Sequence, residues 1–340
     1  MQCDEAGTLG RSWAEILGPY AQPSLGRSLF QLFNSAIPLA LMWWLMLASL
    51  EHSYWITLLL AVPAAGFLVR LFIIQHDCGH GAFFRSRTAN DTLGSLLGVL
   101  TLTPYAYWRK THAIHHATSG NLDRRGFGDV TILTVKEYLA LTRWGRFRYR
   151  LYRSPLALFG IGPGFEFILR HRFPATTPRS WRREWTSVFW TNLAIVVVIA
   201  TMWKTIGIQT FVAVQLPITL IGGVIGIWMF YIQHQFEDTY WEKDEPWSFY
   251  AAGLEGSSYY DLPAILHWFT GNIGVHHVHH LSSRIPNYRL RQCMRENPEL
   301  QQVQRLTFMG SLKCARLKLW DEERRKLVGF RHLRSIRAGS

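Results

Sequence analysis

The chain has 340 residues, 49% of them hydrophobic and only 17% charged, with a formal net charge of +13 and 14 histidines. So little charge, against about a quarter in ordinary soluble domains, combined with this apolar content excludes intrinsic disorder. Four cysteines without a CxxC pair (Cys3, Cys78, Cys293 and Cys314) exclude a disulfide scaffold and fit a reducing compartment.

Residues 1–28 are polar and mixed and carry no secretory signal pattern, so the first apolar block is expected to stay in the mature protein. That block runs from Leu29 to Leu50, and a second from Tyr54 to Ile74 is interrupted only by Arg70. Directly behind it comes a first cluster, His76-Asp-Cys-Gly-His80. Thr92 to Tyr107 is a shorter apolar stretch that leads into a second cluster, His112-Ala-Ile-His115-His116. Arg143 to Arg153 interleaves five arginines with Trp144, Phe147, Tyr149 and Tyr152, a mixture suited to anionic headgroups rather than to nucleic acid. Leu156 to Leu169 is apolar, but Gly160, Gly162, Pro163 and Gly164 should break a spanning helix there. Two further long blocks follow, Val188 to Trp203 and Phe211 to Ile232. His234 stands alone just past the last of them, and a third cluster, His276-His277-Val-His279-His280, lies beyond.

The four long blocks approach or reach the ~20 residues that cross ~30 Å of hydrocarbon as a helix. Residues 108–187 and 233–340 each hold fifteen Lys or Arg, whereas the turns near 52 and 204 hold none and one. The positive-inside rule then places both large polar segments and the N-terminus in the cytoplasm. For the second cluster to join the others, residues 81–111 cannot cross, so Thr92 to Tyr107 must be re-entrant or interfacial.

Histidines at i, i+3 and i+4 share one face of a helix. Eight clustered imidazoles with nothing anionic among them would repel if protonated and lack partners if neutral and buried. A metal removes both problems, and eight or nine nitrogens are too many for one ion. Imidazole suits Fe, Zn, Cu or Ni, and the count alone does not choose. No HExxH occurs, and no thiolate has ligand spacing. Cys78 reads as a packing residue, and His52, His171 and His332 read as solvated. Gly222, Gly223 and Gly226 permit either close helix packing or room for an acyl chain.

These residues resemble the membrane fatty acid desaturase family, whose pattern is three histidine boxes of the form HxxxH, HxxHH and HxxHH. The box HDCGH followed by Gly81 and Phe83, the stretch QHQFEDTYW (Gln233 to Trp241) and the run TGNIGVHHVHHLSSRIPNY (Thr270 to Tyr288) look most like bacterial and cyanobacterial acyl-lipid Δ12 desaturases. The resemblance covers roughly residues 30–300. It implies an all-α integral membrane protein with four transmembrane helices in two hairpins, a re-entrant or interfacial segment, and a cytoplasmic helical cap carrying the boxes. One domain would span 1–340, with a core at about 30–300, a cytoplasmic N-terminal segment 1–28 and a basic cytoplasmic tail 301–340.

The resemblance further implies a non-haem di-iron centre held by His76, His80, His112, His115, His116, His276, His279 and His280. His234 is expected as a ninth ligand, with Gln233, Glu237 and Asp238 beside it as partners for its second ring nitrogen. Asp77, His267 and His277 are further candidates for supporting positions. In the acyl-CoA branch of the family an Asn one turn before the isolated His aids coordination; the position here is Phe230, so that feature does not transfer. Taking hydrogens from an unactivated methylene demands a redox metal. Iron with O2 as co-substrate, an acyl lipid and two electrons from ferredoxin or a similar carrier are therefore expected. No GxGxxG fingerprint suggests a built-in reductase. The nearest rival is a hydroxylase or alkane monooxygenase with the same two irons. A haem carrier or metal transporter would place its histidines within the spans instead.

Overall fold

The computed structural model describes residues 12–126 and 128–333; residues 1–11, with Cys3, and the end of the basic tail at 334–340 lie outside the described residues. Helix α1 (Leu25–Ser49) and helix α2 (Tyr54–His80) form an antiparallel hairpin. Ser53 caps α2 by accepting from the Trp55 amide, and Ser49 and Thr57 hydroxyls meet at 2.8 Å across the turn. Gly81, at φ +67, ends α2 immediately after the first box, in a left-handed conformation that costs glycine nothing. The box is therefore the last part of the helix rather than a loop behind it.

Helices α3 (Arg87–Leu100) and α4 (Tyr105–Thr118) make a second, shorter hairpin. Its turn sits beside α2, where the Gln75 side chain binds the Thr101 hydroxyl (2.6 Å) and the Thr103 carbonyl (3.2 Å). Residues 81–111 thus rise to the level of Gln75 and return, as a segment that does not cross must do. Helix α5 (Arg143–Tyr152) follows, and then residues 156–170, which are helical but largely π-wound on either side of Gly162–Gly164. This stretch lies against the last long helix instead of spanning: a Cβ on Gly223 would stand 3.1 Å from Pro163 and 3.2 Å from Phe167.

Helices α6 (Arg182–Ile206) and α7 (Ile208–His234) form the third hairpin, hinged at Gly207. With α1 and α2 they are, among the described residues, the four helices long and apolar enough to cross a membrane. Half of the most apolar window of α2 is buried inside the protein, against 11% of that of α6. So α2 is the central post, and α6 presents Phe189, Trp190, Val196, Val197 and Trp203 outward, to lipid. Gly222 packs on Leu68 of α2 and Gly223 on the 156–170 stretch, so both serve close packing, while Gly226 faces open space. Trp43 donates to Gln215 (3.1 Å) to tie α1 to α7, a polar contact of the kind that helps helices associate within lipid.

Beyond α7 the chain forms a cap with helices α8 (Ala264–Phe269), α9 (His276–Leu281) and α10 (Asn287–Glu296) and two small sheets. Its core joins Phe236, Tyr260, Val275, Val278, Leu290 and Leu300 to Tyr231 and Ile232 at the end of α7 and to Trp13 and Ile16 near the N-terminus. Every residue of α9 is buried. The third box is therefore held rigidly, against the ends of α2, α4 and α7.

Candidate metal centre

All nine histidines expected to ligate meet at the cap end of the bundle. His76 and His80 come from the last turns of α2, His112, His115 and His116 from α4, His234 from the end of α7, and His276, His279 and His280 from α9. They fall into two groups able to hold a metal ion, His76, His80, His112, His116 and His279 in one and His115, His234, His276 and His280 in the other, the ligand atoms of each lying within 4.8 Å of one another. Helix geometry explains the division. At 100° per residue, i and i+4 lie about 40° apart, whereas i+3 and i+4 diverge by about 100°. In each HxxHH box the i and i+4 members therefore share a group and the i+3 member serves the other. His112 and His116 face the five-histidine group while His115 turns away, and His276 and His280 face the four-histidine group while His279 turns away.

Contacts at the outer nitrogens define the chemistry at the inner ones. His234 Nδ1 lies 3.0 Å from the Gly256 carbonyl, which can only accept, so that nitrogen carries the proton. His115 Nδ1 donates to Asp129 at 2.5 Å. The Nε2 atoms of these two rings then carry bare lone pairs, yet they stand 3.1 Å apart, and His276 Nε2 is 3.0 Å from His234 Nε2. The other group repeats the spacing, with Nε2 pairs His112–His116 at 3.1 Å and His116–His279 at 3.0 Å. The Nε2 atoms of His80 and His280 are buried with no hydrogen-bond partner. Between His115 and His234, both protonated on Nδ1, facing lone pairs at this distance repel unless a cation lies between them.

Two nitrogens about 2.1 Å from one ion stand about 3.0 Å apart at a right angle and about 3.4 Å apart at a tetrahedral one, so these pairs are close enough to share an ion. Burial, then the neighbouring imidazoles, holds His112, His116, His276, His279 and His280 well below the usual histidine range. They are neutral, the form that binds metal. The donor set thus fits a pair of metal ions.

Expected supporting residues divide sharply. Asp77 Oδ1 lies 3.3 Å from His76 Nδ1, at the site. Glu237 and Asp238 do not reach it: both point to solvent and pair with Lys326 at 3.8 and 2.9 Å. On a helix continuing past His234 they would have shared its face, but α7 stops at His234. Gln233 donates to the Ile273 carbonyl instead (3.0 Å). His277, one residue from His276, points into the cap and contacts the Leu300 carbonyl at 2.9 Å. His267 accepts from the Leu262 amide (3.2 Å), stacks against Tyr259, and belongs to neither group. Phe230 packs its ring 5.1 Å from that of His115 and offers no donor atom.

Cys78 is buried among apolar residues, outside both groups. His52 is exposed, but His171 is buried and paired with Glu166, and His332 pairs with Asp321 at 2.9 Å, so the expectation of solvated rings fails for these two. Asp129 and the Gly256 carbonyl went unforeseen. Asp129 follows His115 by fourteen residues, across an irregular loop that no periodicity links to a helix face.

The model of the fatty acid desaturase family matches residues 53–310. A fatty acid desaturase of Bacillus subtilis (strain 168) is 49% identical over 93% of this chain and 90% of its own length. More distant are an sn-1 acyl-lipid omega-3 desaturase (ferredoxin) of Nostoc sp. (strain 36), 27% identical over 83% of this chain and 78% of its own, and an sn-1 oleoyl-lipid 12-desaturase of Synechocystis sp., 27% identical over 66% and 63%. A histidine-walled site at one end of four apolar helices, and a match across three quarters of the sequence, lead to one assignment: the chain belongs to the fatty acid desaturase family.

Proposed function

We propose that the two histidine groups hold two irons and that this centre uses O2 to insert a cis double bond at Δ12, converting oleoyl to linoleoyl chains on membrane lipid. Desaturation itself follows from the family. The observation that carries the di-iron reading is the convergence of nine imidazoles as five and four, with ring nitrogens 3.0–3.1 Å apart. Two irons bound there would supply the reductive activation of O2, by which two hydrogens leave the chain and, with two electrons and two protons from outside, oxygen departs as two waters.

The protein's own residues prepare that reaction. Asp77, Asp129 and the Gly256 carbonyl keep the ring protons of His76, His115 and His234 on Nδ1 and leave each Nε2 directed inward. Asp77 and Asp129 also set one carboxylate against each group of neutral ligands, offsetting positive charge. Buried α9 shields the centre from water, and Phe230 gives the wall beside His115 and His234 an apolar face.

Basic residues in 108–187 and 233–340 support a bacterial inner-membrane protein with termini and centre on the cytoplasmic side. They account for the charge without nucleic acid. Ferredoxin or a similar carrier is the proposed electron donor, in line with the name of the Nostoc relative. For Δ12 the support is the HDCGH box, the segments around His234 and His276, and the Synechocystis 12-desaturase; the Bacillus relative's name specifies no position. Expression in a host without polyunsaturated lipids, followed by location of double bonds, tests this. A diene formed from oleoyl chains is expected. New bonds only in saturated chains would overturn Δ12, and hydroxylated chains alone would overturn desaturation in favour of a hydroxylase.

A further inference from the structure

Asp77 is 1% exposed and makes more contacts than the one with His76. Its second oxygen, Oδ2, accepts from the Asn287 amide (2.7 Å) and from Asn287 Nδ2 (2.8 Å). Asn287 opens the ten-residue helix α10, so the amide is one that no helical carbonyl can satisfy, and the positive end of the helix faces the carboxylate. The Asn287 side chain, fully buried, meets Gln31 of α1 in a reciprocal amide pair: Gln31 Nε2 donates to Asn287 Oδ1 (2.7 Å) and Asn287 Nδ2 donates to Gln31 Oε1 (3.1 Å).

Every direction in this chain is forced. An ionised carboxylate only accepts, so Asn287 must present Nδ2 to Asp77 and Oδ1 to Gln31, and Gln31 must answer with Nε2. The column continues through the Ser35 hydroxyl, which donates to the Gln31 carbonyl (2.6 Å) and accepts from Arg70 Nε (3.0 Å). A buried Gln in an apolar helix is costly unless its hydrogen bonds are made, and here they end at the aspartate beside a metal-site histidine.

We propose that Gln31 and Asn287 are positioning residues for the five-histidine group. They hold Asp77 so that it keeps the proton of His76 on Nδ1 and Nε2 free for metal. Helix α1, which contributes no histidine, thereby governs metal retention at one group. This inference rests on the two-iron reading above.

The test is iron release from purified holoenzyme into excess chelator, counted per chain, for the wild type, Gln31→Leu, Asp77→Asn and the double variant. Gln31→Leu should release one of two irons about tenfold faster, the low end for losing an outer partner of a metal ligand, while the other iron leaves at the wild-type rate. In the Asp77→Asn background Gln31→Leu should add nothing, because it acts through that carboxylate. Gln31→Glu keeps the size and should act in the same direction, since a carboxylate cannot donate to Asn287 Oδ1. Equal acceleration at both irons, or additive effects in the double variant, would mean a general packing role and overturn the proposal. Unchanged release from a wild-type-like two-iron protein overturns it alone. Wild-type protein without two irons overturns the two-iron reading as well.

Discussion

The five-histidine group and the four-histidine group share α4 and α9, but the first adds His76 and His80 of α2 and the second His234 of α7, and they are held in place differently. His80 and His116 of the first are half-buried, whereas all four rings of the second are buried. The supporting carboxylate of the first, Asp77, lies 3.3 Å from its histidine on the same helix and is braced by α10. That of the second, Asp129, reaches His115 at 2.5 Å from a loop, and the Gly256 carbonyl holds His234. The supporting carboxylate of one group thus stands on a spanning helix, and that of the other in a loop. Support carried on a helix is fixed together with its ligand, while support from a loop depends on how that loop folds.

The largest effect should come from breaking either group outright. His80→Ala and His280→Ala each remove a buried Nε2 that has no hydrogen-bond partner, and both should abolish diene formation while protein still accumulates in the membrane. Residual activity in only one of them would show that the groups do not act together. Next come the carboxylates. Asp129→Asn should weaken metal binding at the four-histidine group by about 10- to 100-fold. Asp77→Asn, acting over a longer contact, should cost its own group less, and chelator titration of each variant measures the difference. The reverse order would break the contrast between helix-borne and loop-borne support.

A buried histidine outside both groups supplies a control. Burial pushes His171 down to about 4, with Glu166 opposing. Its unfolded value is near 6.5, so between those limits the unfolded chain binds more protons. Stability from this residue is complete above about pH 6.5 and is lost as pH falls toward 4, on the order of 3 kcal/mol at most. His171→Phe should flatten the fall in Tm between pH 7 and pH 5 and leave iron content unchanged. An altered iron content would tie His171 to the centre. The smallest effect is expected for Glu237→Gln with Asp238→Asn. Both side chains are exposed, and their ion pairs with Lys326 contribute within about 0.5 kcal/mol. Desaturation rates should match wild type.

Much of this architecture is legible in the sequence because its signals are local. The spans differ from the expected blocks by a few residues at each end, since helices continue into polar sequence: α2 through the first box, and α6 from Arg182. Spacing within each box reveals which rings share a helix face, and a lone His at the end of an apolar run marks His234. What is hidden depends on where chains turn. Glu237 and Asp238 are close to His234 in sequence, but α7 ends at His234 and the chain carries them away, and Asp129, Gly256 and Asn287 reach the site by folds of loop and cap that no periodicity records. His171 is misread because arginine neighbours suggest solvent, while the π-wound stretch before it carries the ring inward against Tyr107 and Phe167.

Iron counted per chain in the wild type and in His234→Ala, by metal analysis and Mössbauer spectroscopy of 57Fe-enriched protein, is the most direct test of two separately held irons. His234 belongs to the four-histidine group alone. Two irons in the wild type, and one component lost with the other kept in His234→Ala, is the predicted result. A single iron in the wild type, or two irons and near-normal diene formation in His234→Ala, would contradict it.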